Sequence, residues 1–298
     1  MTLVSVCVAT YRRPDGLRAL MHSIEAQELP DGLDVEVIIV DNDPPSAEPA
    51  VREYGSESRF VVHYLSQPEP NISLTRNAGV AAARGDLVWF VDDDEIAEPD
   101  CLGLLVAAMY EHDADVVFGP VLPRFETPLP DWLQPLFSRP VFATGTPSVA
   151  HRTGNTLVTS ESLSLVEGPF DPAYGVTGGS DSLLFRQLEA RGRLLINSAD
   201  AIVSEVVPAE RATWQWLRSR MRRQGQNYAR QTVTLEEGTF TPGVAWMSAK
   251  ALVQIVGWGG SAIASWRDRT QRSLYVMRIW TNIGKIEGVI GVARRRDP

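Results

Sequence analysis

Three consecutive carboxylates, Asp92-Asp93-Asp94, close the apolar run Leu87-Val88-Trp89-Phe90-Val91. Adjacent negative charges repel unless a cation or hydrogen-bond donors intervene, and in extended backbone Asp92 and Asp94 point to the same side. Their hard oxygens suit Mg²⁺ or Mn²⁺; Mg²⁺ takes one or two protein carboxylates and completes its shell with phosphate oxygens and water. A solvated acidic turn is the plainer alternative. Placement directly after a buried strand favours the metal site. A further carboxylate, Asp181, lies in Gly178-Gly179-Ser180-Asp181-Ser182, where the glycines permit close approach of a ligand to backbone. Helix capping by Ser180 or Asp181 is its structural alternative.

The remaining candidates point to a nucleotide. Arg76 and Asn77 follow Asn71–Thr75 on a predicted helix and face either a nucleotide or solvent. Asp41 ends an apolar run and either accepts a hydrogen bond from a base or sugar or holds a turn. Thr10 and Tyr11 could cradle the same nucleotide, with core filling as the alternative for Tyr11. Arg13 reaches a phosphate or remains a solvated loop arginine.

The elements that must position these residues follow from periodicity. Val/Ile-rich runs at 3–9, 35–40, 60–65, 87–91 and 115–121 predict strands, and helical patterns occupy 15–27, 73–83 and 99–111. That alternation predicts an α/β fold with a mostly parallel sheet, whose ligands sit beyond the carboxyl ends of the strands. The polar clusters 10–14, 41–43 and 92–95 then converge on one sheet edge. Residues 154–159 read as a returning strand and 180–191 as a helix stopped by Gly192. Ahead of them 122–153 carries six prolines together with Trp132, Leu133, Leu136, Phe137 and Phe142. It reads as a functional loop that packs on the body and shapes an acceptor site.

Composition narrows the classes. The 298 residues are 44% apolar and 22% charged, which excludes disorder as the main state. Two cysteines, Cys7 and Cys101, form no disulfide framework and fit a reducing compartment. The start of the chain lacks the basic region and long apolar run of a signal peptide. No G-x-G-x-x-G follows the first strand, which argues against a NAD-dependent enzyme. The net charge of −9 conceals a split: 211–298 carries 15 basic and 5 acidic residues, the rest 13 basic and 32 acidic. An acidic body argues against nucleic acid, while the basic third suits an anionic membrane or a phosphorylated substrate.

Within that third, Arg211, Arg218 and Arg222 share one predicted helix face, suited to a diphosphate, with a solvated basic face as the alternative. The uncharged run 251–266 is too short and polar to span a bilayer. Leu274, Met277, Trp280, Ile283, Ile286 and Ile290 repeat at helical spacing, and tryptophans at 246, 258, 266 and 280 accompany them. Interfacial membrane attachment is the favoured reading and packing on the body the alternative.

The ordered set Val4–Arg13, Ile38–Asn42, Arg76–Gly79, Ala83–Asp86 and Phe90–Asp94 resembles the family 2 glycosyltransferases. Gly119–Val121, Thr153–Asn155, Gly168–Asp171, Gly178–Asp181, Val207–Pro208 and Arg220–Gln226 extend the likeness to transferases that assemble succinoglycan-type exopolysaccharides on lipid carriers. The resemblance implies a GT-A fold, a Rossmann-like, mostly parallel central sheet, with a catalytic domain over 1–230 and a helical C-terminal extension over 231–298. It implies an inverting, metal-dependent transfer from a nucleotide-sugar, a UDP-sugar, to a glycan or a polyprenyl-diphosphate-linked acceptor. Thr10, Tyr11, Arg13, Asp41, Arg76 and Asp93 would hold the donor, Asp92 and Asp94 the Mn²⁺ or Mg²⁺, and Asp181 would be the general base. Asn155 and Glu205 are candidate acceptor or metal contacts; many members carry histidine near Glu205, and Ser180 stands where the family commonly has glutamate. The QxxRW signature of processive synthases is not evident, which favours adding one sugar at a time. The implied location is cytoplasmic, peripheral on the inner membrane. A sugar nucleotidyltransferase and a non-catalytic, membrane-associated nucleotide-binding protein are the rival readings; the first expects a glycine in the loop 10–14, which has none.

Overall fold

A computed structural model describes residues 2–149, 151–239 and 241–296, with side chains to residue 292. Asp297 and Pro298, the end of the expected extension, lie outside the described residues. Chain contacts divide the protein into two compact units, one of 1–124 with 139–206 and another of 125–138 with 207–298.

The first unit is built on a seven-stranded sheet. Its strands are β1 (Thr2–Thr10), β2 (Leu33–Asp41), β3 (Val61–Ser66), β4 (Leu87–Asp92), β6 (Val116–Phe118), β8 (Thr156–Thr159) and β9 (Leu195–Asn197), in the order β3-β2-β1-β4-β8-β6-β9. All pair in parallel except β8, which runs antiparallel to both β4 and β6. The predicted strand at 115–121 is broken at Gly119-Pro120. Proline cannot donate to the ladder, and the chain leaves the sheet there to continue as β7 (Val121–Phe125). A three-stranded sheet joins β7 to β10 (Val203–Val207) and β5 (Glu95–Ala97).

Strand alternation divides the core between the two sheet faces. Val4, Val6 and Val8 of β1, Val35, Val37 and Ile39 of β2 and Leu87, Trp89 and Val91 of β4 pack with helices α1 (Pro14–Glu25), α2 (Glu48–Glu57) and α4 (Cys101–Glu111). The intervening Cys7, Ile38, Val40, Val88 and Phe90 pack on the other face with helices α3 (Ile72–Ala82), α5 (Ser160–Ser164) and α6 (Ser180–Ala190). A period of two with both faces apolar is the pattern of a sheet covered by helices on both sides. Both cysteines are buried and free.

The second unit is helical. Helices α7 (Trp214–Leu235), α8 (Pro242–Ala264) and α9 (Arg269–Arg296) form it, with α9 packed along both α7 and α8. The expected domain boundary at residue 230 falls inside α7. Of the proline-rich segment, 125–138 contributes Leu133, Leu136 and Phe137 to a cluster with Leu217 and Met277. Among the described residues no helix is long and apolar enough to cross a membrane.

Candidate active site

Beyond the carboxyl ends of β1 and β4, Asp93 gathers the candidates that follow β1. Its carboxylate accepts hydrogen bonds from the Thr10 hydroxyl (2.9 Å), the Tyr11 backbone N–H (3.3 Å) and the Arg13 guanidinium (3.0 Å). The same Arg13 nitrogen bridges to Asp94 at 2.6 Å. These donors answer the charge repulsion built into three successive aspartates. Burial nonetheless pushes the Asp93 carboxyl up to about 6, against the pull of Arg13 and with the charge of Asp94 adding to it. Gly16 at the start of α1 makes this approach feasible: a Cβ there would lie 2.6 Å from the Asp93 carbonyl oxygen. Tyr11 is exposed, with Arg12 stacked over its ring.

Asp92 is held separately, by Arg76 of α3 at 3.1 Å. Its backbone N–H donates to Glu95, a buried carboxylate that sequence reasoning left without a role. Burial, with the charge of Asp92 added, holds the Glu95 carboxyl well above the usual range. Antiparallel pairing of β10 with β5 sets Glu205 directly opposite Glu95, and the Val206 N–H donates to the Asp94 carbonyl. Glu205 therefore belongs beside the acidic motif, where Arg139 pairs with it at 3.5 Å.

Arg152 completes this side. One of its guanidinium nitrogens donates to the Gly119 carbonyl, while its Nε is buried without a partner among the described residues. Burial lowers its pKa to about 10, and nearby Arg139 acts in the same direction. Sequence reasoning missed both arginines because they sit in the irregular segment. The one available signal was the adjacency of Arg152 to Thr153-Gly154-Asn155.

Asp181 occupies the first turn of α6 and accepts a hydrogen bond from the Ser182 N–H at 2.7 Å. Neither Ser180 nor Asp181 is the N-cap. Gly179 takes that position at φ 102°, after Gly178 at φ 79°, and the Ser180 hydroxyl is buried without a partner among the described residues. Such φ values suit glycine. A short backbone path links this turn to the acidic motif. The Ser182 hydroxyl donates to the His151 carbonyl, and three residues on, Gly154 passes so close that a Cβ would lie 2.5 Å from Glu95 and 3.3 Å from Asp92.

Two candidates are committed within the protein. Asp41 is fully buried and accepts from the N–H groups of Asp43 and Ala47 and the hydroxyls of Ser46 and Tyr64. Asn155 is also fully buried, in the left-handed region at φ 51°. Its amide donates to the Pro120 and Ala201 carbonyls, and its oxygen accepts from the Trp89 indole and the Cys101 thiol. This asparagine ties together four segments around the Gly119-Pro120 break. In the helical unit, Arg222 is bound by Glu287 and Arg218 stacks over Trp280.

The parallel strands β3-β2-β1-β4, one antiparallel strand beside β4 and an acidic motif at the end of β4 make up a GT-A fold. Solved structures agree on the fold. A mannosyltransferase from Pyrobaculum calidifontis, in complex with GDP-Man and Mn²⁺, superposes with a TM-score of 0.63 at 18% identity, over 95% of this chain and 86% of its own. S. aureus TarS residues 1–349, in complex with UDP, gives 0.55 at 16% identity, over 99% and 92%. The glycosyl transferase family 2 profile matches residues 5–163, and the chain belongs to that family. The succinoglycan biosynthesis protein ExoM of Rhizobium meliloti is 30% identical over 97% of this chain and 93% of its own.

Proposed function

We infer that this glycosyltransferase moves a sugar from a nucleotide-sugar, a UDP-sugar, to a glycan or polyprenyl-diphosphate-linked acceptor in bacterial exopolysaccharide synthesis, with inversion at the anomeric carbon. The observation that carries the reading is the assembly of Thr10, Tyr11, Arg13 and Asp93 beyond β1 and β4, next to Asp92 and Asp94. The similar structures in complex with GDP-Man and Mn²⁺ and with UDP, and the exopolysaccharide relative, support it.

Thr10, Tyr11, Arg13, Arg76 and Asp93 bind the donor. Asp41 acts behind them, by fixing the turn after β2. Asp181 takes the proton of the acceptor hydroxyl as its oxygen bonds to the anomeric carbon. The bond from that carbon to the diphosphate oxygen breaks, and the nucleoside diphosphate leaves with the electron pair. The hydrogen bond from the Ser182 N–H steadies the Asp181 carboxylate for this task.

Among the described residues no three His, Cys, Asp or Glu side chains are gathered as a closed cage. The hard oxygens of Asp94 and Asp92 nevertheless fit Mn²⁺ or Mg²⁺, which needs one or two protein carboxylates when phosphate and water complete the shell. When bound, such an ion neutralises charge on the leaving diphosphate. Glu205, opposite Glu95 across the β10–β5 pair, would touch metal or acceptor. Such a transferase works in the cytoplasm, peripheral on the inner membrane, where lipid-linked acceptors are presented.

Asp181→Asn tests the assignment. Transfer should fall at least ~100-fold, the scale of a lost general base, while nucleotide-induced thermal stabilisation survives. Retained transfer would remove Asp181 as the base. Slow metal-dependent hydrolysis of the nucleotide-sugar by the unmodified chain separates a transferase from a non-catalytic binding protein, which leaves the donor intact.

A further inference from the structure

We propose that α8 is a membrane-docking helix that lies flat in the interface of an anionic bilayer and inserts its outward face. This deepens the membrane part of the preceding reading and names the surface responsible. The amphipathic repeat in 274–290 belongs to α9, which lies against α7 and α8; Met277 is buried and Leu274 packs with it, while Ile290 is exposed. Among the described residues, most of the exposed large apolar side chains of this unit lie on α8. Val244, Met247, Ala251 and Ala262 face inward. Trp246, Leu252, Val253, Val256 and Ile263 are exposed, between 57 and 77% of each side chain's full accessibility, and Trp266 follows just beyond the helix end. At 100° per residue the five exposed positions on the helix share an arc of about 120°. Large aliphatic and indole side chains left outward over five turns require a covering.

Charge and length identify what covers it. Lys250 is the one charged residue of α8, whereas 242–296 holds 9 basic and 2 acidic residues. Lys250 lies next to the arc on the helix and Arg267 lies over Trp266 just beyond its end, so basic groups border the apolar arc. A second copy packed by a two-fold axis would set this basic margin against itself. An anionic leaflet complements it, with arginine and tryptophan at headgroup level. Trp246 to Ile263 spans about 26 Å, and no described helix qualifies to cross a bilayer. An outward apolar stripe of that length, backed by protein on its inner side, fits an in-plane helix.

The experiment is co-sedimentation of the full chain with phosphatidylcholine vesicles, with and without phosphatidylglycerol, alongside the variant Val253→Asp/Val256→Asp. Both positions are exposed, and the variant should melt at the parent temperature. The parent should pellet with phosphatidylglycerol vesicles and be released by salt, and the variant should partition at least roughly tenfold less. A parent that stays in the supernatant, or a variant that binds equally, overturns the proposal. So does a parent that is dimeric by light scattering and becomes monomeric in the variant, since a second copy then covers the face. Nucleotide-sugar hydrolysis measured without vesicles reports on the transfer reading separately, so failure of one leaves the other standing.

Discussion

The two units solve the packing problem by different means. The sheet unit fills its core with large side chains: Trp89, Phe118, Phe170 and Phe185 are all fully buried, and Phe118 meets Phe185 edge to face at 5.0 Å. The helical unit brings backbones together instead. Gly225 of α7 lies against Thr281 and Lys285 of α9, and Gly284 and Gly288 of α9 lie against Arg222 and Gln226 of α7. The sheet unit buries its largest side chains, and the helical unit adds to its smaller apolar clusters a seam of close approach that glycine permits. The first holds a fixed set of polar groups at a sheet edge. The second leaves one helix with an uncovered face.

The comparison is tested most severely at Trp89. Replacement by alanine removes the largest buried side chain of β4 and the indole donor to Asn155 at 3.2 Å. Loss of transfer free energy plus the cavity should cost about 3–5 kcal/mol. Because β4 ends at Asp92, donor-induced stabilisation should weaken as well. A loss under about 1 kcal/mol in denaturant titration would mean that this core is not packed as described.

Gly284→Ala sets two effects of opposite sign against each other. Helix propensity alone favours alanine by about 1 kcal/mol. The added methyl, however, would run into the Arg222 carbonyl, a backbone atom that cannot rotate away. Overpacking of this kind costs about 1–3 kcal/mol, so net destabilisation is expected, with the helical unit melting earlier. Stabilisation would show that α7 and α9 are not in backbone contact.

What could be read in advance divides along the same line. The five strand runs and the edge carrying 10–14, 41–43 and 92–95 were legible because a doubly covered sheet writes itself as Val/Ile runs. Helix α2 was not, since Glu48–Glu57 is mostly polar and contains Gly55. Strands β5 and β10 were too short for a pattern, so the pairing that brings Glu205 opposite Glu95 emerged only in three dimensions. Asn155 shows the limit of motif reading: the residue stands where the likeness places it, yet both ends of its amide are spent on the fold. In the helical unit the stripe at 274–290 was visible, but periodicity reveals an apolar face and not its partner. Leu274 and Met277 pack within the unit, and Ile290 stays exposed. The seam glycines went unread because a glycine inside a helix ordinarily signals weakness.

The smallest effect concerns the ion pair beside that seam. Arg222 grips Glu287 through two nitrogens, and the hydrogen bonds with Arg222 hold the Glu287 carboxyl below its usual range. A carboxyl depressed in the folded state binds fewer protons than in the unfolded chain. It therefore contributes stability above its ordinary value of 4.5, and that contribution is lost as pH falls through the depressed folded value. Solvent screens the pair, whose side chains are 49 and 31% exposed, so it is worth about 0.2–1 kcal/mol. Glu287→Gln should lower the melting temperature slightly at about pH 7, less so in high salt, and match the parent near pH 3. A gap that persists in acid would assign the loss to packing against Gln226 and not to charge. The seam would then rest on shape alone, like the glycines beside it.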